Sequence, residues 1–235
     1  MTKKVGIVIP LRLTPERERP FEFVHNWLKT EFVDIPIYIS DSVGEQFNVS
    51  EARNRGCLQA INDGVDILMV IDADSFVIDK TKIIEAFDLA TSGVLILTKA
   101  YINLSERESK EKHTEGDIKN KQFDFGPTFD TPGGVWVLSV EVFQKINGWD
   151  ERFIGWGFED NALNKAYKEI CEKRIYRVDT AVLSFSNKTR NYTIPSLYNN
   201  KQRNSQYEAI SSKEEMLEMV SKNMVHLGEE RFTLD

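Results

Sequence analysis

The chain has 235 residues, 41% of them apolar and 29% charged, a balance that fits one soluble α/β domain able to bury its own core without staples. Its net charge of −7 argues against a surface that binds nucleic acid through bulk electrostatics. Cys57 and Cys171 stand apart with no CxxC spacing, which speaks against a disulfide framework and for a reducing, cytoplasmic setting.

The opening MTKKVGIVIPLRL reads as a strand rather than a signal peptide, because Pro10 and Arg12 interrupt its apolar run, and no later run reaches the length of a membrane span. VGIVIP (5–10), IPIYIS (35–40) and DILMVID (66–72) are short β-branched runs of the kind buried strands carry. Between the last two, NVSEARNRGCLQAIND predicts a helix, with Asn48 and Glu51 placed as a capping box, Ser50 as a competing cap, and Ala52, Leu58 and Ile61 as its inward face. DKTKIIEAFDLATSG (79–93) predicts another helix, closed by Gly93, before a strand at VLILT (94–98). From Ser105 to Phe125 the periodicity dissolves into a charged loop. Ser139–Ile146 predicts a helix stopped by Asn147-Gly148, and Asp160–Glu172 a further one. Ser212 with Glu215 opens a terminal amphipathic helix striped by Met216, Val220, Met224 and Leu227. Strands that alternate with helices at this spacing predict βαβ units and a mostly parallel sheet.

Polar groups gather where the strands end. Asp72-Ala73-Asp74 follows an apolar strand; on an extended backbone its two carboxylates share one side, and a divalent cation would relieve their repulsion. A plain strand-to-turn boundary is the competing reading. Asp41 ends another strand, Arg12 follows the first, and ligands of open α/β sheets bind beyond the carboxyl ends of strands. Arg53, at a helix start, offers a guanidinium for a phosphate or a solvated helix face. Further on, INGWDERFIGWGFED sets two tryptophans among glycines ahead of a carboxylate pair.

The set IPLR, SEARNRG, DAD and GGVWVLSVEVFQKINGWDERFIGWGFEDNAL resembles the GT-A fold glycosyltransferases that use nucleotide sugars. The last block is most similar to the β-1,4-galactosyltransferase and chondroitin-polymerase type, and more distantly to the polypeptide N-acetylgalactosaminyltransferases. The resemblance runs over roughly residues 5–185. It implies a single domain over 1–235, with a Rossmann-like nucleotide-binding half at 1–100, a donor-sugar and acceptor half at 126–185, and a C-terminal extension at 186–235.

Carried over by position, the resemblance implies that Pro10, Leu11, Arg12, Asp41 and Arg53 contact the nucleotide of a UDP-sugar. Asp72 and Ala73 would face its ribose, with Asp74 and Asp72 on a Mn²⁺ or Mg²⁺ ion. Gly133 and Gly134 would admit the donor sugar to the backbone, Trp156 and Gly157 would sit on a closing loop, and Glu159 and Asp160 would face sugar and acceptor. Asp160 is then the general base of an inverting transfer to a carbohydrate or other hydroxyl, and Trp149 is core filling. One departure stands out. The family's histidine ligand after the following strand is missing from VLSFSNKTRN, which leaves Ser184, Ser186, Asn187 or water to complete a metal shell. His25, His113 and His226 lie elsewhere, as surface or packing residues. Two rivals remain: transfer to a hydroxymethylated base in DNA, favoured by the basic stretch 188–203 (Lys188, Arg190, Lys201 and Arg203 with Tyr192 and Tyr198) and disfavoured by the overall charge, and a non-catalytic sugar- or nucleotide-binding module.

Overall fold

The computed structural model describes residues 3–105, 107, 109, 125–129, 133–185 and 194–225, with 125–129 and 194–195 as backbone alone. β1 (Val5–Pro10) is the β-branched run that ends at its proline. α1 (Pro15–Glu31) begins on Pro15, where the missing N–H costs nothing, and buries Val24, Trp27 and Leu28 at helical spacing. Sequence reading assigned nothing to this stretch, because charges and Pro20 blur the stripe. β2 (Ile37–Ser40) leads to α2 (Val49–Asn62), whose cap is Asn48, accepting from the Glu51 N–H at 3.1 Å. The expected box is only half formed. The Glu51 carboxylate accepts from the Val43 N–H at 2.8 Å, and the Asn48 N–H goes to Ser42 Oγ.

β3 (Ile67–Ile71) and the unforeseen β4 (Ser75–Val77) precede α3 (Lys80–Ala90), which is capped by Asp79. β5 (Ile96–Leu104) runs past the predicted end at Thr98, and the charged stretch after it lies almost wholly outside the described residues. β6 (Phe125–Phe129) and β7 (Val135–Ser139) come next, then α4 (Val140–Lys145), capped by Ser139 and stopped where Asn147 and Gly148 both take positive φ. α5 (Glu159–Cys171), β8 (Tyr176–Ser184), α6 (Ile194–Ala209) and α7 (Lys213–Val220) complete the order. Ser212 caps α7, and Met216, Val220 and Met224 are buried as the stripe predicts; Leu227 lies outside the described residues.

Among the described residues the sheet has eight strands in the order β2-β1-β3-β7-β5-β8-β4, with β6 paired to β5 off that path. It is mixed rather than mostly parallel. β1 is parallel to β2 and β3, and β5 to β8, but β7 runs antiparallel between β3 and β5, and β4 and β6 are antiparallel to β8 and β5. β6 and β7 pair in succession with β5, both antiparallel to it, so β7 meets β3 in reverse. Both faces are covered. Ile7, Ile9, Met69 and Val137 pack with α1 and α3, whereas Val8, Leu68, Val70 and Trp136 pack with α2, α5 and α7. α2 comes closest, at Gly56, where an added Cβ would stand 2.5 Å from Val8 and from Ser40 Oγ. Among the described residues no helix is long and apolar enough to cross a membrane, and Cys57 and Cys171 are both free thiols.

Candidate active site

β1 and β2 end side by side and deliver Arg12 and Asp41 to the same edge. The two pair with each other, Arg12 Nε donating to both Asp41 oxygens at 3.1 and 3.0 Å, while its other nitrogens close the loop after β2 by donating to the Glu45 and Ser42 carbonyls. Pro10 and Leu11 are buried, and the Leu11 N–H donates to the Ser40 carbonyl. At this edge Arg12 and Asp41 are therefore the side chains within a ligand's reach, and Pro10 and Leu11 shape the backbone beneath them.

Asp72-Ala73-Asp74 is not an extended run. It is a tight turn between β3 and β4, closed by the Ser75 N–H donating to the Asp72 carbonyl at 3.0 Å. The period-two argument for its carboxylates accordingly does not apply, and the two acids meet different neighbours. Asp74 Oδ1 lies 3.3 Å from Ser75 Oγ and 3.5 Å from Ser184 Oγ, and its carbonyl accepts from the Phe185 N–H. Asp72 Oδ1 instead accepts from Arg53. Of the oxygens expected to replace the missing histidine, Ser184 is at the turn; Ser186 and Asn187 lie outside the described residues. No group of three His, Cys, Asp or Glu side chains among the described residues could hold a metal ion.

Arg53 is the hub of the site. Its side chain is 3% exposed, Nη2 donates to Asp72 Oδ1 at 2.9 Å, Nη1 donates to Asp160 Oδ1 at 2.8 Å, and Glu159 Oε1 is 3.6 Å from Nη1. The guanidinium carbon sits 4.3 Å above the Trp136 ring and 5.5 Å from that of Trp149, an arrangement in which a desolvated cation gains about 2 kcal/mol. Burial lowers its proton affinity, and Asp160, Asp72 and Glu159 more than reverse that. The fork is thus committed to carboxylates rather than turned toward solvent.

Glu159 and Asp160 open α5, whose preceding residue Phe158 takes φ 73°. Burial raises both carboxyls above their ordinary range. Asp160 is pushed well up, with Arg53 opposing and the charges of Glu159 and Asp72 adding to the rise. Glu159 Oε2 accepts from the Gly157 N–H at 3.0 Å. Asp160 Oδ1 accepts from Arg53 and from Trp149 Nε1, the latter at 3.3 Å, and Oδ2 takes no hydrogen bond among the described residues. One oxygen is fixed; the other is left to accept a proton.

The two tryptophans before this pair divide as the sequence suggested. Trp149 is fully buried, edge-on to Trp136 at 5.6 Å, whereas Trp156 is 46% exposed. Gly155 (φ 77°) and Gly157 (φ 102°) flank Trp156 in conformations that a side chain would strain. Asn200 of α6 holds this loop, donating to the Ile154 and Trp156 carbonyls at 3.0 and 3.4 Å. Gly134 (φ 98°) is required for a packing reason: a Cβ there would lie 2.6 Å from the Tyr101 ring. Gly133 precedes it at the start of β7.

Sequence reasoning missed the residues beneath the site. Asn54 is fully buried, accepts from the Trp149 N–H at 2.9 Å, and donates to the Trp149 carbonyl and to Glu151 Oε1. Asn48, read only as a cap, also donates to the Glu151 carbonyl at 2.7 Å. The available signal was an amide inside a helix at a core position, where only a partner makes burial tolerable.

Comparisons with known proteins bear on the family and the fold. Residues 117–190 match the family described as the N-terminal domain of galactosyltransferase. β-1,4-galactosyltransferase 1 of Bos taurus is 28% identical over 161 residues, 67% of this chain and 35% of that protein, and β-1,4-galactosyltransferase 4 of Homo sapiens is 27% identical over 168 residues, 68% and 41% of the two. The chain thus spans little more than a third of these relatives' length. In structure it is similar to a mutant of Drosophila β-1,4-galactosyltransferase 7 in complex with manganese, UDP-Gal and xylobiose (TM-score 0.56, 16% identity, 91% of this chain and 84% of that one). It is also similar to the catalytic domain of that enzyme with xylobiose (TM-score 0.52). Over about two thirds of its length the chain is thus similar to β-1,4-galactosyltransferases, with residues 117–190 matching the galactosyltransferase family, and its α/β fold is GT-A-like.

Proposed function

We propose that this protein is a glycosyltransferase that moves a sugar from a UDP-sugar to a hydroxyl of a carbohydrate or other acceptor, inverting the anomeric carbon. The observation that carries the reading is the Glu159–Asp160 pair at the head of α5, Glu159 buried and the Asp160 side chain 16% exposed, tied through Arg53 to Asp72 and directly following the exposed Trp156. Buried carboxyls with raised proton affinity in such a setting are what acid–base chemistry at neutral pH needs.

In the reaction the acceptor oxygen forms a bond to the anomeric carbon, the bond from that carbon to the diphosphate breaks with its electron pair leaving on UDP, and the acceptor's proton passes to Asp160 Oδ2. Trp149 and Arg53 hold the other oxygen, so the carboxylate presents one acceptor in one direction. Glu159, fixed by the Gly157 N–H, orients the sugar, and the Trp156 indole gives the ring a platform. Asp74 with the Ser184 hydroxyl, and the Asp72 oxygen that Arg53 does not hold, are the hard donors that would hold a Mg²⁺ or Mn²⁺ ion together with the diphosphate. Such an ion, when bound, offsets the charge of the departing diphosphate.

The test is product NMR after incubation with UDP-sugars and a panel of hydroxyl acceptors. A transferred sugar of inverted configuration supports the reading. Retained configuration, or transfer undiminished in Asp160→Asn, contradicts it, and transfer only to DNA carrying hydroxymethylated bases would replace the acceptor class.

A further inference from the structure

We propose that Arg53 is the positioning residue of the transfer, a rigid two-pronged clamp that fixes the Asp160 carboxylate relative to the donor-side Asp72, rather than a ligand of the donor diphosphate. The inference rests on the reading of Asp160 as the base.

The geometry assigns one prong to each partner. Nη1 holds Asp160 Oδ1 at 2.8 Å and Nη2 holds Asp72 Oδ1 at 2.9 Å. These acids come from different parts of the chain, the start of α5 and the turn after β3, 88 positions apart (160 − 72), and the guanidinium is what spans them. The aromatic seat prevents the group from swinging out: Trp136 lies below it at 4.3 Å and Trp149 beside it at 5.5 Å. Trp149 serves twice, since its indole N–H also donates to the Asp160 oxygen that Arg53 holds.

Two further observations separate a functional clamp from a structural ion pair. Arg53 Nε and Trp136 Nε1 are both buried without a hydrogen-bond partner among the described residues, a cost that folds avoid when stability alone is served. The cluster is also out of charge balance, with one guanidinium among the carboxylates of Asp72, Glu159 and Asp160. A core built for stability would hold matched charges or none. A lysine could not replace the clamp, because an ammonium is a single point of charge and cannot reach two carboxylates in a fixed fork.

The test compares Arg53→Lys, Arg53→Gln, Asp160→Asn and the double variant Arg53→Lys/Asp160→Asn, measuring kcat and donor KM for transfer, UDP affinity by calorimetry, and thermal melting. Arg53→Lys keeps the charge and most of the volume, so it reports even if Arg53→Gln does not fold. The expected result is a loss in kcat of roughly 10²-fold, the scale of a small misplacement at a reacting centre, with donor KM and UDP affinity changed by less than about 3-fold. The double variant should then be about as slow as Asp160→Asn alone, because residues that act as a unit are not additive. A loss in donor KM or UDP affinity instead of kcat would make Arg53 a donor ligand and overturn the proposal; additive losses or near-wild-type kcat in Arg53→Lys would overturn it too. If Asp160→Asn is inactive and Arg53→Lys is not impaired, this inference fails while the base assignment stands. If Asp160→Asn transfers normally, the base assignment fails and takes this inference with it.

Discussion

At Asp160 the environment works in two directions. Burial raises its proton affinity, and Arg53 restrains the rise. A base of this kind must be ionised to act, so kcat should fall on the acid side along a limb that lies above the ordinary carboxylate range, which a pH–rate profile will show. The charge of Glu159 is one of the causes that raise Asp160; Glu159→Gln should therefore move that limb to lower pH, and a shift upward would contradict the electrostatic account. Stability carries the opposite sign. A carboxyl raised in the folded state binds its proton more tightly there than in the unfolded chain, so its contribution is present at low pH and is lost as pH rises through the folded value. The melting temperature of Asp160→Asn should accordingly gain on the wild type as pH rises from about 4 through the raised value of Asp160, and a constant difference would count against it. The residues of this cluster were legible from motif order, but their mutual contacts were not. Arg53 in SEARNRG reads equally as a phosphate ligand or a helix-surface cation, and only the approach of α5 to α2 decides between them.

At the level of elements, the loop 154–157 matters most, because it joins the fixed Trp149 to Glu159 and Asp160, the pair proposed to carry the chemistry. Its two glycines give it the backbone freedom to move, and Asn200 on α6 limits where it rests. Asn200→Ala removes part-buried hydrogen bonds to the loop backbone and should cost about 1 kcal/mol. It should also lower sugar transfer more than hydrolysis of the donor if the exposed Trp156 serves as the proposed sugar platform; equal losses in both would place the loop outside acceptor recognition. The glycines announced this loop in the sequence, whereas α6 did not announce itself. IPSLYNNKQRNSQYEA is polar on most faces, and of its buried residues Asn200 is held by hydrogen bonds while Tyr207 alone carries a large apolar ring into the core. α1 escaped for a related reason, and β4 because three residues carry too little pattern to be read. The parallel half of the sheet was readable from unbroken apolar runs, but the reversal of β7 depends on a connection whose path the sequence does not encode locally.

Across the whole molecule, the C-terminal helices brace the site from behind. Tyr207 donates to Asp150 Oδ2 or Asn223 Oδ1, at 3.1 and 2.9 Å, Asn223 donates to the Gly148 carbonyl, and Asn147 donates to the Val220 carbonyl, so α6 and α7 hold the turn that leads into Trp149. Tyr207→Phe leaves those partners short of a hydrogen bond and should cost about 1–3 kcal/mol, or roughly 2–4 °C of melting temperature per kcal/mol in a chain of this size; an unchanged melting curve would show that the brace is not needed. The central claim is that this fold brings a donor end and a proton acceptor together for transfer from a UDP-sugar. It is tested most directly by measuring UDP released from UDP-glucose, UDP-galactose and their N-acetyl forms, with Mn²⁺, Mg²⁺ or EDTA, for the wild type and Asp160→Asn, alone and with the acceptor panel. The account predicts cation-dependent release from at least one donor, accelerated by an acceptor in the wild type, with the acceptor-dependent part reduced by about 10²-fold to 10⁴-fold in Asp160→Asn. Release from none of them, or acceptor-dependent release that survives in Asp160→Asn or in EDTA, would contradict it.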